Sequence, residues 1–229
     1  MNKPGYRTEL KHIITEMDAQ LIRNRVKPIM QRDSHCGSDG KYFIRSLYFD
    51  TPEDKALHEK IDGVSIRDKF RIRLYNYDSS LIRLEKKSKV NGSALKTSVI
   101  LSKEQTEAII EGKYDFLVTM QIPICQEFYL KLCLEKLQPK VIVDYDREAY
   151  ICPWGNVRVT IDTDLRTSIG SCHLFDFQSI NTQSMRSGFC ILEIKYDHFL
   201  PDFIRDLVQL NNCMATAVSK YVACRIITE

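Results

Sequence analysis

The chain has 229 residues, with 33 Lys and Arg against 30 Asp and Glu, a formal net charge of +3, and 44% hydrophobic residues. That is enough apolar material for a substantial core, and with only 9 Gly and 7 Pro it excludes disorder as the main state. No run approaches the roughly 18 apolar residues of a membrane span, the opening MNKPGYRTEL has no apolar core of a signal peptide, and so balanced a charge gives no global support to nucleic-acid binding.

The predicted elements begin with a strand over 6–13. Thr15 can cap a helix whose apolar face is Met17, Leu21, Ile22, Val26 and Ile29. Pro28 and the polar run 32–40 end it, and a strand over 41–50 follows. Thr51 and Pro52 start a helix that stops near Asp62-Gly63. Strands over 68–77 and 81–90 flank Asp78-Ser79-Ser80 and read as a hairpin, and Asn91-Gly92 is a tight-turn signal before a strand over 94–101. Ser102 and Gln105 form a capping box for a helix over 103–112, followed by a helix near 125–137. Strands at 140–151, 156–163 and 189–196 come next. Pro201 opens a last amphipathic helix to about 225, with Phe203, Leu207, Leu210, Met214, Val218 and Tyr221 on one face. Roughly eight strands joined largely by turns predict an α+β protein: an antiparallel sheet or barrel with helices on its outside, in one domain over 1–229.

The eight cysteines, among them Cys36, Cys125 and Cys213, show no CxxC pair, and no HExxH occurs. Without an export signal they read as reduced thiols of a cytoplasmic protein. The phosphate-loop, dinucleotide-binding and hydrolase-elbow motifs are also missing.

Alternation along the strands carries the functional signal. In KFRIRLYNY, Phe70, Ile72 and Leu74 take one face, and Arg71, Arg73 and Tyr75 the other. The first strand sets Arg7, Glu9 and Lys11 on one face. From residue 69 onward the polar faces hold Arg71, Arg73, Arg83, Lys87, Lys89, Arg147, Arg158 and Lys195 against Glu85, Asp162 and Glu193, eight bases facing three acids. Two readings stay open. The polar face is a solvated outer surface, or the sheet closes and the bases converge on a lumen that requires an anionic ligand, because unpaired buried charge is costly. A linear ligand with several phosphates suits arginine pairs, and a few carboxylates can hold Mg²⁺ or Mn²⁺ together with phosphate oxygens.

The stretches YRTELKHII (6–14), IRSLYFDTPED (44–54), HEKIDG (58–63), KFRIRLYN (69–76), RLEKKSKVNGSALK (83–96), VDYDREAY (143–150), VRVTIDTDL (157–165), LEIKY (192–196) and SKY (219–221) run in order over nearly the whole chain. Together they resemble the VTC domain of polyphosphate polymerases, within the triphosphate tunnel metalloenzyme (CYTH-like) superfamily. The resemblance implies an antiparallel eight-stranded tunnel in which ATP donates its terminal phosphate to a growing polyphosphate chain. By motif position it implies Lys11, Arg71, Arg73, Lys87, Lys96, Arg147, Arg158, Lys195 and Lys220 as phosphate ligands. Of these, Arg71, Arg73 and Lys220, with Glu193, would be the catalytic set. Glu193 would hold a divalent metal, Mn²⁺ or Mg²⁺, with Glu9, Glu85 and Asp162 as further acidic residues of the lumen. Lys96 and Lys220 come from the resemblance alone.

The chain is similar to the short stand-alone bacterial versions, lacking the SPX domain and membrane helices of the eukaryotic proteins, so polymer translocation is expected to need a separate membrane protein partner. Where the family often reads LEIKKK this chain reads LEKKSK, and Arg7 stands where the wider superfamily has the first glutamate of ExExK. Two other activities fit the same residues: a tunnel hydrolase cleaving triphosphate, and a polyphosphate-binding module without turnover.

Overall fold

The computed structural model describes residues 7–91, 93–178, 181–210 and 217–228. Eight long antiparallel strands form one continuous path. In path order they are β1 (Thr8–Thr15), β10 (Phe189–Tyr196), β8 (Val157–Ser168), β7 (Gln138–Cys152), β3 (Tyr42–Asp50), β4 (Ile66–Tyr75), β5 (Asp78–Val90) and β6 (Ser93–Leu101). Two short strands lie off the path, β2 (Gln31–Arg32) on β7 and β9 (Asn181–Gln183) on β8. The two edges of the path meet at one antiparallel bridge between Arg7 and Ala94, whose amides donate to each other's carbonyls at 3.1 and 3.3 Å. Curling the sheet until its edges meet puts one residue of each alternating pair inside and the other outside.

The outward residues build two apolar layers. Phe70, Ile72, Leu74 and Leu84 pack against Phe128, Leu132, Ile109 and Leu117, which belong to α5 (Pro123–Leu134), α3 (Lys103–Ile110) and α4 (Phe116–Thr119). Val159, Ile161, Leu192 and Ile194 pack against Ile22 and Val26 of α1 (Glu16–Val26) and Ile204 of α6 (Asp202–Val208). A third cluster differs in kind. It gathers Ile44, Tyr48, Val143 and Tyr145, on the face opposite those layers, with Leu57 of α2 (Lys55–Ile61) and with Tyr221 and Cys224 of α7 (Lys220–Ile227). Besides the helices outside, therefore, α2 and α7 close over one part of the inner face.

Local signals mostly held. Thr15 and Asp18 form a capping box on α1, as Ser102 and Gln105 do on α3. On α1 the buried residues are Ala19, Ile22 and Val26, while Met17 is 85% exposed and Leu21 and Ile29 also face outward. The β4–β5 turn is at Asn76-Tyr77, both with positive φ, and Asp78 already belongs to β5. Such a turn needs left-handed conformations at both central residues, which asparagine tolerates and tyrosine resists; here the Tyr77 ring stacks on Phe43 at 4.0 Å. The second helix starts at Lys55 rather than at the Thr51-Pro52 pair. The expected last helix is two: α6 ends at Val208, with Gln209 extended, and α7 starts after a Ser219 cap. Met214 and Cys213 lie outside the described residues. The seven described cysteines are free.

Candidate functional site

Inside the curled sheet lies a cavity of about 200 Å³ lined, among the described residues, by eleven bases and two acids, Glu9 and Glu193. Alternation places them. Arg71 and Arg73 sit two apart on β4, opposite Tyr48 and Ser46 of β3. Lys11 faces Glu193 across the β1–β10 pair, and Lys195 faces Glu9. Lys220 comes from the first turn of α7, whose start is capped by the Ser219 side chain accepting from the Val222 amide.

Each acid is saturated by bases. Glu193, 3% exposed, lies 3.2 Å from the Lys11 ammonium, 3.4 Å from the Arg147 guanidinium and 3.4 Å from the Lys195 ammonium. Burial pushes its carboxyl up, but these cations together with Lys220 outweigh it and hold it well below the ordinary range. Asp162 accepts a two-point bond from Arg147, at 2.6 and 2.7 Å, and takes Lys220 at 2.5 Å. Against its burial, Arg147 and Lys220 bring its carboxyl down to about 2. Glu85, 1% exposed, accepts from Arg71 at 2.8 Å and from Lys96 at 3.0 Å. Glu9 binds Lys87, with Lys195 at 3.7 Å. Burial raises the Glu9 carboxyl, and Lys195 and Lys87 reverse that to about 2.

The arginines are held rigidly. Arg71 donates to Tyr48 Oη at 2.7 Å, and Arg73 donates to Ser46 Oγ at 2.9 Å and to Tyr145 Oη at 3.1 Å. These bonds leave the cationic planes fixed at the cavity wall, a preorganised arrangement for an anion.

The sequence-predicted residues divide in two. Lys11, Arg71, Arg73, Lys87, Arg147, Lys195, Lys220, Glu9 and Glu193 all line the cavity. Glu85 and Asp162 stand behind it, bonded to its bases. Lys96 and Arg158 are not among the lining residues. The Lys96 side chain is 52% exposed and is connected to the site through Glu85. Arg158 is turned toward Asp33, at 2.7 Å, and donates to Tyr42 Oη at 2.7 Å. Within the matched stretch 44–54, Tyr48 lines the cavity. Arg45 is fully buried against Asp144 at 2.7 Å, and Asp50 accepts the amides of Thr51, Ala56 and Leu57, so both hold the fold.

Sequence reasoning missed Lys60, Arg67 and Lys69, which also line the cavity. Both Arg67 and Lys69 continue the Arg71–Arg73 alternation back toward the start of β4: Lys69 already lies within the expected strand over 68–77, and extending that strand to Ile66 adds Arg67. Lys60 sits on α2, where strand alternation has no reach.

A family profile for the VTC domain matches residues 6–228. The chain belongs to the VTC domain family. No curated protein sequence matches it. Among solved structures, this VTC chain is similar to HpAC1 from Hippeastrum, an adenylyl cyclase candidate described with a dominant triphosphatase activity. The TM-score is 0.54 at 13% identity, over 98% of this chain and 97% of that one. It also matches the PH1819 protein of Pyrococcus horikoshii, with TM-score 0.42 at 16% identity over 89% and 84% of the two chains. A Bacillus halodurans protein described as an adenylate cyclase candidate gives 0.44 at 16% over 82% and 81%. The Hippeastrum likeness shows a shared fold.

Proposed function

We propose that this VTC domain transfers the terminal phosphate of ATP to the end of a polyphosphate chain. The observation that carries the reading is the charge of the cavity: among the described residues, eleven bases against two acids, in a protein with a net charge of only +3. Donor and acceptor are both polyanions, and bringing them together costs electrostatic energy that only a surplus of cations offsets. The reaction needs no nucleophile from the protein. A terminal phosphate oxygen of the chain attacks the γ-phosphorus, the bond from that phosphorus to the bridging oxygen of ATP breaks, and ADP leaves with the electron pair. The work left to the protein is positioning and charge neutralisation. Arg71 and Arg73, two apart on one strand, would grip one phosphate, with Arg147, Lys195 and Lys220 on the facing side. Lys96 and Arg158 would act at most indirectly, through Glu85 and through release of Asp33.

A divalent cation fits this donor set in one way. Among the described residues no three His, Cys, Asp or Glu cluster as a metal site. Mg²⁺ and Mn²⁺, however, are commonly held by one or two carboxylates and substrate phosphates, and Glu193 and Glu9 share Lys195 on the same wall. Glu193 would be the carboxylate ligand, and the cation would supply further neutralisation of the transferred phosphoryl group. No helix among the described residues is long and apolar enough to cross a membrane; a separate membrane protein is the partner this reading offers for moving polymer across one.

The second reading, hydrolysis of triphosphate, is favoured by the fold shared with the Hippeastrum protein. Incubation with ATP and Mn²⁺ separates them. Long polymer with matching ADP is the expected result; free phosphate alone makes the protein a hydrolase, and binding of polyphosphate without either product makes it a binding module.

A further inference from the structure

The bases of the cavity are not equally compensated. Around Glu193 and Asp162 every base has a carboxylate within 3.4 Å. At the end formed by the start of β4, the end of β5 and the end of α2, Lys60, Arg67 and Lys89 have no ion pair among the described residues. Arg67 and Lys89 are register partners on β4 and β5, and on the next inward-facing rung Lys69 is paired with Lys87. Like charges directly opposite one another across strands are destabilising, and here two consecutive inward rungs carry them. Lys60 reaches the same place from α2. The crowding is felt: burial and then the charge of Arg67 push both the Lys60 and Lys89 ammonium groups down from their ordinary value. A solvated strand end would spread such charges or mix in acids.

Building on the phosphate-transfer reading, we infer that Lys60, Arg67 and Lys89 form an outer subsite that takes the phosphates of a bound chain beyond those held at Arg71, Arg73 and Arg147. The chemical class is a linear polyanion long enough to span both regions. A triphosphate held in the centre leaves the outer rung empty, whereas a longer polyphosphate fills it and relieves its repulsion. The protein therefore distinguishes anions by length as well as by charge.

The test uses binding alone, without ATP or metal, so it stands apart from the question of turnover. Calorimetry compares inorganic tripolyphosphate with a medium-chain polyphosphate for the wild type and for Lys60→Ala/Arg67→Ala/Lys89→Ala, each over a salt series. Expected is a wild-type preference for the longer chain, with the variant cutting that preference at least about tenfold, the equivalent of losing one charge-assisted contact. The salt dependence for the longer chain should also become shallower, because fewer counterions are exchanged. The charge-retaining Arg67→Lys variant should keep most of the preference. Equal weakening for both ligands would mean that the three bases act only as a diffuse field, and an unchanged preference would mean a solvated rim; either result overturns the subsite. A thermal melt of each variant shows whether it is folded, and if the triple variant is not, Lys89→Ala alone answers the same question with a smaller loss.

Discussion

At the scale of single residues, Glu193 decides what the acids of the cavity are for. It is buried, and it touches Lys11, Arg147 and Lys195. Substituting it by Gln keeps the shape and removes the charge that holds those three cations together. Two opposite effects follow on ligand-free and ligand-bound protein. The free protein loses stability, because three partly buried cations lose a shared counterion. Metal-free tripolyphosphate binds at least as tightly as before, because the ligand supplies the missing negative charge. Glu193→Gln should thus lower Tm without weakening tripolyphosphate binding in chelator, while turnover with Mn²⁺ is lost. Near-normal turnover with Mn²⁺ would mean that the carboxylate serves only the lysines and holds no cation. The alternation of β4, β5, β7, β8 and β10 was enough to bring most of these side chains to one face on paper. What it could not reveal is that Arg158 would be drawn away by Asp33 in the loop after β2, since a side chain's direction beyond Cβ depends on a partner far off in sequence.

At the scale of elements, caps and hairpins were legible because they are local. Thr15 and Asp18, or Ser102 and Gln105, satisfy helix-end amides within three residues. The last helix was not legible, because one apolar stripe from Phe203 to Tyr221 has the same period whether the chain runs straight or breaks. The two halves go to different places: α6 packs on an outer apolar layer, and α7 lies over the inner face. There the buried Tyr221 hydroxyl donates to Asp50, which already accepts three backbone amides at the start of α2. The Tyr221 ring lies 4.4 Å beneath the Lys69 ammonium. Tyr221→Phe removes one bond to a buried carboxylate, a loss of about 1.5–3 kcal/mol, which lowers Tm by roughly 3–12 °C in a domain of this size. Tyr221→Leu also removes the ring beneath Lys69 and leaves a smaller side chain, so its melt should fall further. Equal melts for wild type and Tyr221→Phe would show that the hydroxyl contributes nothing to docking α7.

For the whole molecule, the surplus of inward bases ties folding and binding to pH in opposite directions. Burial, against the attraction of Asp50, brings the Lys69 ammonium from 10.5 down to about 7. Burial and Lys11 bring Lys87 to about 8 despite Glu9. In the unfolded chain both lysines hold their protons to about pH 10.5. Between roughly pH 7 and 10 the unfolded state therefore binds more protons than the folded one, and this contribution makes the ligand-free protein more stable as pH rises. Affinity for a phosphate chain moves the other way, because only the protonated lysines attract it. The ligand cannot account for that fall: terminal phosphates have a second pKa near 6, so above that pH the ligand's charge grows or stays constant. Tripolyphosphate affinity should drop at least about tenfold between roughly pH 6.5 and 8.5, the loss of about one full charge-assisted contact, while Tm without ligand rises over the same interval. Lys69→Met should flatten the lower part of the affinity curve and leave the part near pH 8 that belongs to Lys87. Affinity that stays level or climbs with pH in the wild type would show that these two lysines keep their protons throughout, and that their burial in the tunnel is far wetter than their surroundings imply.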